Sequence, residues 1–298
     1  MLNKLIVGTL PLLPKSLVYV FAKKYIAGSQ LKDAVKVTKD FAKLGGLTTI
    51  DVLGEFVDSR ERALHEKEMS LKVIETIKKE KLSTYLSIKP TSIGLGIDYD
   101  FAYKNIQEIV SKANENGIFV RLDMENSPYT DLTFKVYKSL RDSGLDNVGF
   151  VIQAYMKRSI SDIENLKAYN PNVRLCKGIY VESAEIAYKD KQEIRENYKK
   201  LFTLLINNTS KLGIATHDEE LIQYAEDYIS QHKTPKDKYE FQMLLGVREN
   251  KRDELLKKGH SLRIYVPFGE DWYGYSTRRL NENPEMAGHV FKSLFSKN

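Results

Sequence analysis

A single cysteine, Cys176, in 298 residues excludes an internal disulfide framework and agrees with a reducing cytosol. It sits in an apolar, strand-like run and reads as a buried small hydrophobe. Histidine is sparse and dispersed, at His65, His217, His232, His260 and His289. No HExxH or paired-cysteine spacing occurs, so no metal centre is expected. Long apolar runs are missing as well. Leu5 to Phe21 is broken by Pro11, Pro14 and Lys15, short of the roughly 20 residues a spanning helix needs, and no Ala-x-Ala cleavage site follows. Leu17-Val18-Tyr19-Val20-Phe21-Ala22, followed by Lys23-Lys24, suits a helix packed on the core, the commoner case, or one lying on a membrane surface. Charge of one sign is scarce too. The 46 Lys+Arg exceed the 40 Asp+Glu by only six, without a basic stripe, which argues against nucleic acid. There is no G-x-S-x-G elbow and no Walker sequence, and Gly94-Leu95-Gly96 is a fragment of a nicotinamide fingerprint with no third glycine in register.

What is present is a regular alternation. Short segments rich in Val, Ile, Tyr and Phe predict strands at Leu47-Leu53, Ser83-Ile88, Ile118-Met124, Val148-Ala154, Val173-Ile179, Gly213-Thr216, Tyr239-Leu244 and Leu262-Val266. Amphipathic segments lie between them, among them Arg60-Glu80, Phe101-Asn116, Leu132-Ser143, Ile160-Tyr169, Lys189-Lys211, Glu219-Gln231 and Asn250-Lys258. Several stop at glycine or asparagine, as helices do. Eight strand-helix units without a Pro/Ser-rich linker predict an α/β fold, a (β/α)₈ TIM barrel over residues 46–298, with additional N-terminal helices in residues 1–45.

Chemistry in such a barrel sits where strands end. Polar groups stand at those places: Lys89; Asp123 and Glu125; Gln153 and Tyr155; Lys177 and Tyr180; His217. Strand ends are often polar merely because they meet water. Beyond the eighth strand, a Pro-Gly turn leads to the adjacent Arg278 and Arg279. An arginine pair can grip a carboxylate through parallel hydrogen bonds, although adjacent arginines are more often solvated helix charges.

Arg174-Leu175-Cys176-Lys177-Gly178-Ile179-Tyr180 resembles the R-L-x-K-G-x-Y strand of proline dehydrogenases, which are distorted (β/α)₈ barrels that carry FAD. The resemblance runs in order through Leu86-Ser87-Ile88-Lys89, Val120-Arg121-Leu122-Asp123-Met124-Glu125, Val151-Ile152-Gln153-Ala154-Tyr155, Ala215-Thr216-His217, Tyr239 to Gly246, and Arg278-Arg279-Leu280-x-Glu282-Asn283. Chain length is similar to that of the short bacterial form.

The resemblance implies hydride transfer from C5 of L-proline to flavin N5, giving 1-pyrroline-5-carboxylate, with a membrane quinone as electron acceptor. It implies a cytoplasmic protein, with peripheral contact at the inner face of the plasma membrane. Arg278, Arg279 and Lys89 would hold the proline carboxylate, with Asp123 orienting that lysine. Tyr180, Leu244, Tyr265 and Tyr275 would wall the pyrrolidine ring. Arg174 and Gln153 would hydrogen-bond around N5 and the isoalloxazine carbonyls, and Met124, Lys177, Gly178, Ile179, Thr216 and His217 would line the rest of the cofactor. Glu282 would belong to the cofactor side of the site, bracing the arginine helix or pairing with a basic group across the site. Val181 departs from the pattern, standing where some relatives have tryptophan. Two other readings are a related flavin barrel with a different substrate and an inactive barrel that senses an amino acid. The first leaves the converging cations unexplained, and the second would be signalled by loss of Asp123, Gln153 or Arg174, all present.

Overall fold

The computed structural model describes residue 19 and residues 22–276. Arg278, Arg279 and Glu282, and most of the N-terminal apolar segment, lie outside the described residues.

The strands follow the predicted order: β1 (Leu47–Val52), β2 (Thr84–Ile88), β3 (Val120–Leu122), β4 (Val148–Gln153), β5 (Asn172–Cys176), β6 (Lys211–Ala215), β7 (Tyr239–Leu244) and β8 (Leu262–Phe268). Each pairs in parallel with its successor, and β8 pairs with β1 from Leu47↔Arg263 to Val52↔Phe268, closing the barrel. The helices are α1 (Leu31–Ala42), α2 (Arg60–Lys79), α3 (Tyr99–Glu115), α4 (Thr130–Asp142), α5 (Ser159–Leu166), α6 (Lys191–Asn208), α7 (Glu219–His232) and α8 (Glu249–Lys257).

Side-chain oxygens start several helices at the places that bring the chain back to the site. Asp98 accepts from the Phe101 amide at 2.7 Å, Asp190 from Gln192 and Glu193, and Asp218 from Glu220. Each satisfies an orphan amide of a first turn.

Because neighbouring side chains of a strand point to opposite faces, the barrel has two unlike surfaces. Ile50, Leu86, Val120, Leu122, Phe150, Val173, Leu175, Ile214, Phe241 and Val266 are fully or almost fully buried in the main apolar core, where each large side chain contributes about 1.5–3 kcal/mol. The alternate residues face the axis and are largely polar, as shown by bonds between separate strands: Lys89 to Asp51, Arg174 to Asp123 and Gln242, and Tyr265 to Asp123. Fully buried Arg121 ties β3 to β4 and β5 through the carbonyls of Phe150 and Asn172.

Most predicted strands differ from the observed ones by a residue or two at an end, and two are shortened by more. β3 covers Val120–Leu122 rather than 118–124, and β5 stops at Cys176 rather than 179. At β5 the cause is Gly178, whose φ of +105° takes the chain out of extended geometry; a Cβ there would lie 2.1 Å from the Tyr155 ring.

Candidate active site

The C-terminal ends of the strands surround a cavity of about 680 Å³. Every described residue to which the resemblance gave a substrate or cofactor role lines it: Lys89, Asp123, Met124, Gln153, Arg174, Lys177, Gly178, Ile179, Tyr180, Thr216, His217, Leu244, Tyr265 and Tyr275; the strand-end residues Glu125 and Tyr155 are buried and are not part of its wall. Cys176 is half-buried and forms part of the wall, so it is less enclosed than a core residue.

Lys89 is not oriented by Asp123, as the sequence suggested. Its ammonium donates to both oxygens of Asp51, at 2.8 Å each. The register that sets Asp51 opposite Ser87 places the two groups on adjacent strands. Burial opposes the lysine charge, but Asp51 and Asp123 outweigh it and hold Lys89 above the ordinary lysine value. Burial pushes the Asp51 carboxyl up to about 6, against the pull of Lys89 and with a further push from Asp123.

Asp123 instead gathers three donors. Ser87 Oγ and Arg174 Nη1 both donate to Oδ1 at 2.7 Å, and Tyr265 Oη donates to Oδ2 at 2.7 Å. Burial, then the nearby Asp123 and Asp51, push the Tyr265 phenol well above its usual range, which keeps it a donor. Its ring lies 5.3 Å from the Arg174 guanidinium carbon. Arg174 Nε donates to Gln242 Oε1 at 2.7 Å.

Gln153 Nε2 donates to the Glu125 carbonyl at 3.0 Å. The Glu125 carboxylate is fully buried, accepting from the Thr91 amide at 2.9 Å and from its hydroxyl. With no cation bonded to it among the described residues, burial pushes it up to about 7. His217 Nε2 accepts from the Leu244 amide at 3.0 Å, which places that ring's proton on Nδ1. Lys177 pairs with Asp218 at 3.0 Å, and Asp218 also pairs with Arg195 and caps α7. Thr216 Oγ1 accepts from the Asp218 amide. Tyr180 meets Phe56 edge-on at 6.4 Å. Tyr275 packs with Ala22, Tyr25, Ile26 and Leu53. Val181 is 97% exposed.

Sequence reasoning did not single out Asp51, Glu240, Gln242 or Lys191. The first three carried a readable signal: Thr49 and Asp51, like Glu240 and Gln242, are polar residues two apart inside otherwise apolar strands, the pattern of a polar inner face. Lys191 lines the cavity from the first position of α6.

The proline dehydrogenase family model matches residues 34–292. Proline dehydrogenase 2 of Bacillus subtilis (strain 168) is 38% identical over 278 residues, 93% of this chain and 91% of that protein. The proline dehydrogenase of Deinococcus radiodurans is 34% identical over 277 residues, 92% of this chain and 89% of that protein. A crystal structure of proline utilization A (PutA) from Bdellovibrio bacteriovorus, inactivated by N-propargylglycine, superposes with a TM-score of 0.84 at 26% identity, over 89% of this chain and 33% of that one. The resemblance read from the ordered strand motifs thus extends across the sequence and the barrel, and it is to the short members that identity is higher. The chain belongs to the proline dehydrogenase family and is an oxidoreductase of proline catabolism.

Proposed function

We propose that the chain oxidises L-proline to 1-pyrroline-5-carboxylate with FAD as cofactor, by hydride transfer from C5 to flavin N5, and that the electrons go on to a membrane quinone. The observation that carries this reading is Arg174. Two of its nitrogens are fixed by protein acceptors, Nη2 has none among the described residues, and the side chain lines the cavity. A rigid, permanently charged donor with one amino group left over suits the electron-rich edge of an isoalloxazine.

The remaining wall fits the same group. Met124, Ile179 and Leu244 supply apolar surface for a flat ring, while Lys177 and Lys191 bring positive charge to a phosphate-bearing tail. Gln153 retains one amide hydrogen beyond the one given to Glu125. FAD, when bound, supplies the electron sink that receives the hydride leaving C5.

Proline enters through what the chain's own residues do. Lys89, held charged by Asp51, attracts the carboxylate; Arg278 and Arg279 complete that grip in the proposal. Tyr180, Tyr265, Tyr275 and Leu244 enclose the ring and keep water from it. The Lys89 and Arg174 charges disfavour a third cation, so the cavity selects proline with a neutral ring nitrogen, whose lone pair is needed when C5 loses hydride. Glu282 serves the cofactor side of the site in the proposal. We assign catalysis to residues 46–298 and read residues 1–45 as a helical segment able to visit a bilayer surface; among the described residues no helix is long and apolar enough to cross a membrane.

The test is the visible spectrum of the purified protein before and after anaerobic proline. A flavin band that bleaches, with pyrroline product formed in equal amount, is expected. A colourless protein, or a band that proline leaves unchanged, would overturn the reading. Reoxidation of the bleached protein by a short-chain quinone, followed at the same wavelength, tests the acceptor separately.

A further inference from the structure

Beneath Arg174 the barrel axis holds a second polar assembly that makes no contact with Asp123 or Lys89. Glu240 Oε1 accepts from Arg263 Nε at 2.6 Å and from Gln242 Nε2 at 2.7 Å, and Oε2 accepts from Arg263 Nη2 at 3.1 Å. Lys211 approaches Oε2 at 3.3 Å. Arg263 also donates to the Thr48 carbonyl and lies 3.5 Å from the Tyr85 ring centre.

This arrangement fixes which way the Gln242 amide points. Glu240 is a buried, acceptor-only anion, so only the amino end of the amide can face it. The carbonyl end is therefore turned to Arg174 Nε, 2.7 Å away. On the neighbouring strand, Gly213 leaves the amide its space: a Cβ there would come within 2.5 Å of Gln242 Nε2.

We infer that Gln242 is a positioning residue for the reaction: anchored by the Glu240–Arg263 pair, it locks the Arg174 guanidinium so that Nη2 faces the cofactor. Asp123 alone leaves that guanidinium free to swing about the Nη1 bond, and Gln242 supplies the second point that defines its plane. The inference rests on the role proposed above for Arg174. It predicts that Gln242 governs the flavin and the rate of its reduction while leaving the carboxylate grip intact.

The experiment is a double-mutant cycle of Gln242→Leu and Arg174→Met, reading the flavin midpoint potential, the anaerobic rate of reduction by proline, and the KM for proline. Gln242→Leu is expected to lower the potential and to slow reduction about tenfold, the usual cost of losing a hydrogen bond to a charged group, with little change in KM. In the Arg174→Met background the same substitution should change neither potential nor rate. Gly213→Ala, which crowds the amide without removing either partner, should move both readings in the same direction and provides a second variant should Gln242→Leu not fold. An unchanged potential and rate in the folded Gln242→Leu or Gly213→Ala protein, or an equal loss in both backgrounds, overturns the inference and leaves the Arg174 assignment standing. A potential unaffected by Arg174→Met itself overturns that assignment, and the inference with it.

Discussion

Two buried carboxylates on the barrel axis, Glu240 and Asp51, each face a cation, yet burial leaves them in opposite conditions. Burial raises both. At Glu240 this is more than offset by Arg263, Lys211 and Gln242, which hold it down at about 2. At Asp51 the one bonded cation among the described residues is Lys89, and Asp123 pushes back, so the carboxyl stands at about 6. Glu240 is part of an assembly closed by bidentate pairing, although Arg263 and Gln242 also line the cavity. The Asp51 pair reaches the cavity through Lys89, where a second carboxylate can share the ammonium. The lower pair is built to stay as it is, and the upper one to exchange partners with a ligand. Glu125, which has hydrogen-bond donors and, among the described residues, no bonded cation, stands higher still at about 7. The series shows that what a buried acid does is set by the cations given to it, more than by depth.

The sharpest way to break the comparison is Glu240→Ala. It strands Arg263 without its counter-charge and is expected to cost about 3–5 kcal/mol in a urea melt; a midpoint unchanged within error would show that the pair is not the anchor described. The next effect concerns Glu125. Because its folded value lies above the ordinary carboxylate value, its stabilising contribution is complete below about pH 4.5 and is lost as pH rises through about 7. Glu125→Gln should therefore melt at higher urea than the parent above pH 7, by about 3 kcal/mol at most, with the advantage disappearing near pH 5. An advantage that grows toward low pH would contradict the assignment.

Asp51→Asn sharpens the contrast from the other side. It should lower kcat/KM for proline roughly 10–100-fold, the scale of a charged hydrogen bond, and shift the urea midpoint less than Glu240→Ala does. Equal stability losses in the two variants would erase the distinction between a closed and an open pair. The smallest effect is expected for Tyr265→Phe, which removes the 2.7 Å donation to Asp123 and a long 3.5 Å contact from Lys89; kcat/KM should fall about fivefold, with the flavin spectrum unchanged.

The fold was legible because each strand puts its apolar residues on the side the helices cover, and the intervening segments repeat at helical spacing. The predicted strands that were misjudged were so at their ends, and at β5 a single backbone feature, the left-handed Gly178, decides the matter. The site was legible as a collection and not as a circuit. Lys89 and Asp123 stand at strand ends and were found. Asp51 lies inside a strand 38 positions from its lysine, and only the parallel register reveals that they meet. Gln242 and Glu240 were visible letters in a matching motif, but an amide's direction depends on which neighbour is ionised. The arginine pair at 278 and 279 lies outside the described residues, so its carboxylate role stays on the sequence side of the argument.

The two-faced barrel wall has a consequence for how the molecule can be divided. Its apolar material forms a hollow sleeve between sheet and helices, while the axis is threaded by charge. Separating the barrel into halves would uncover mainly paired and unpaired polar groups along the cut axis, with only two seams of the sleeve opened. Fragments ending between strand-helix units should thus remain soluble and seek each other through complementary polar groups: Asp123 on one half with Arg174 and Tyr265 on the other, and the Thr48 carbonyl with Arg263. The same circuit that arranges the site would then act as the key by which the halves recognise their proper register.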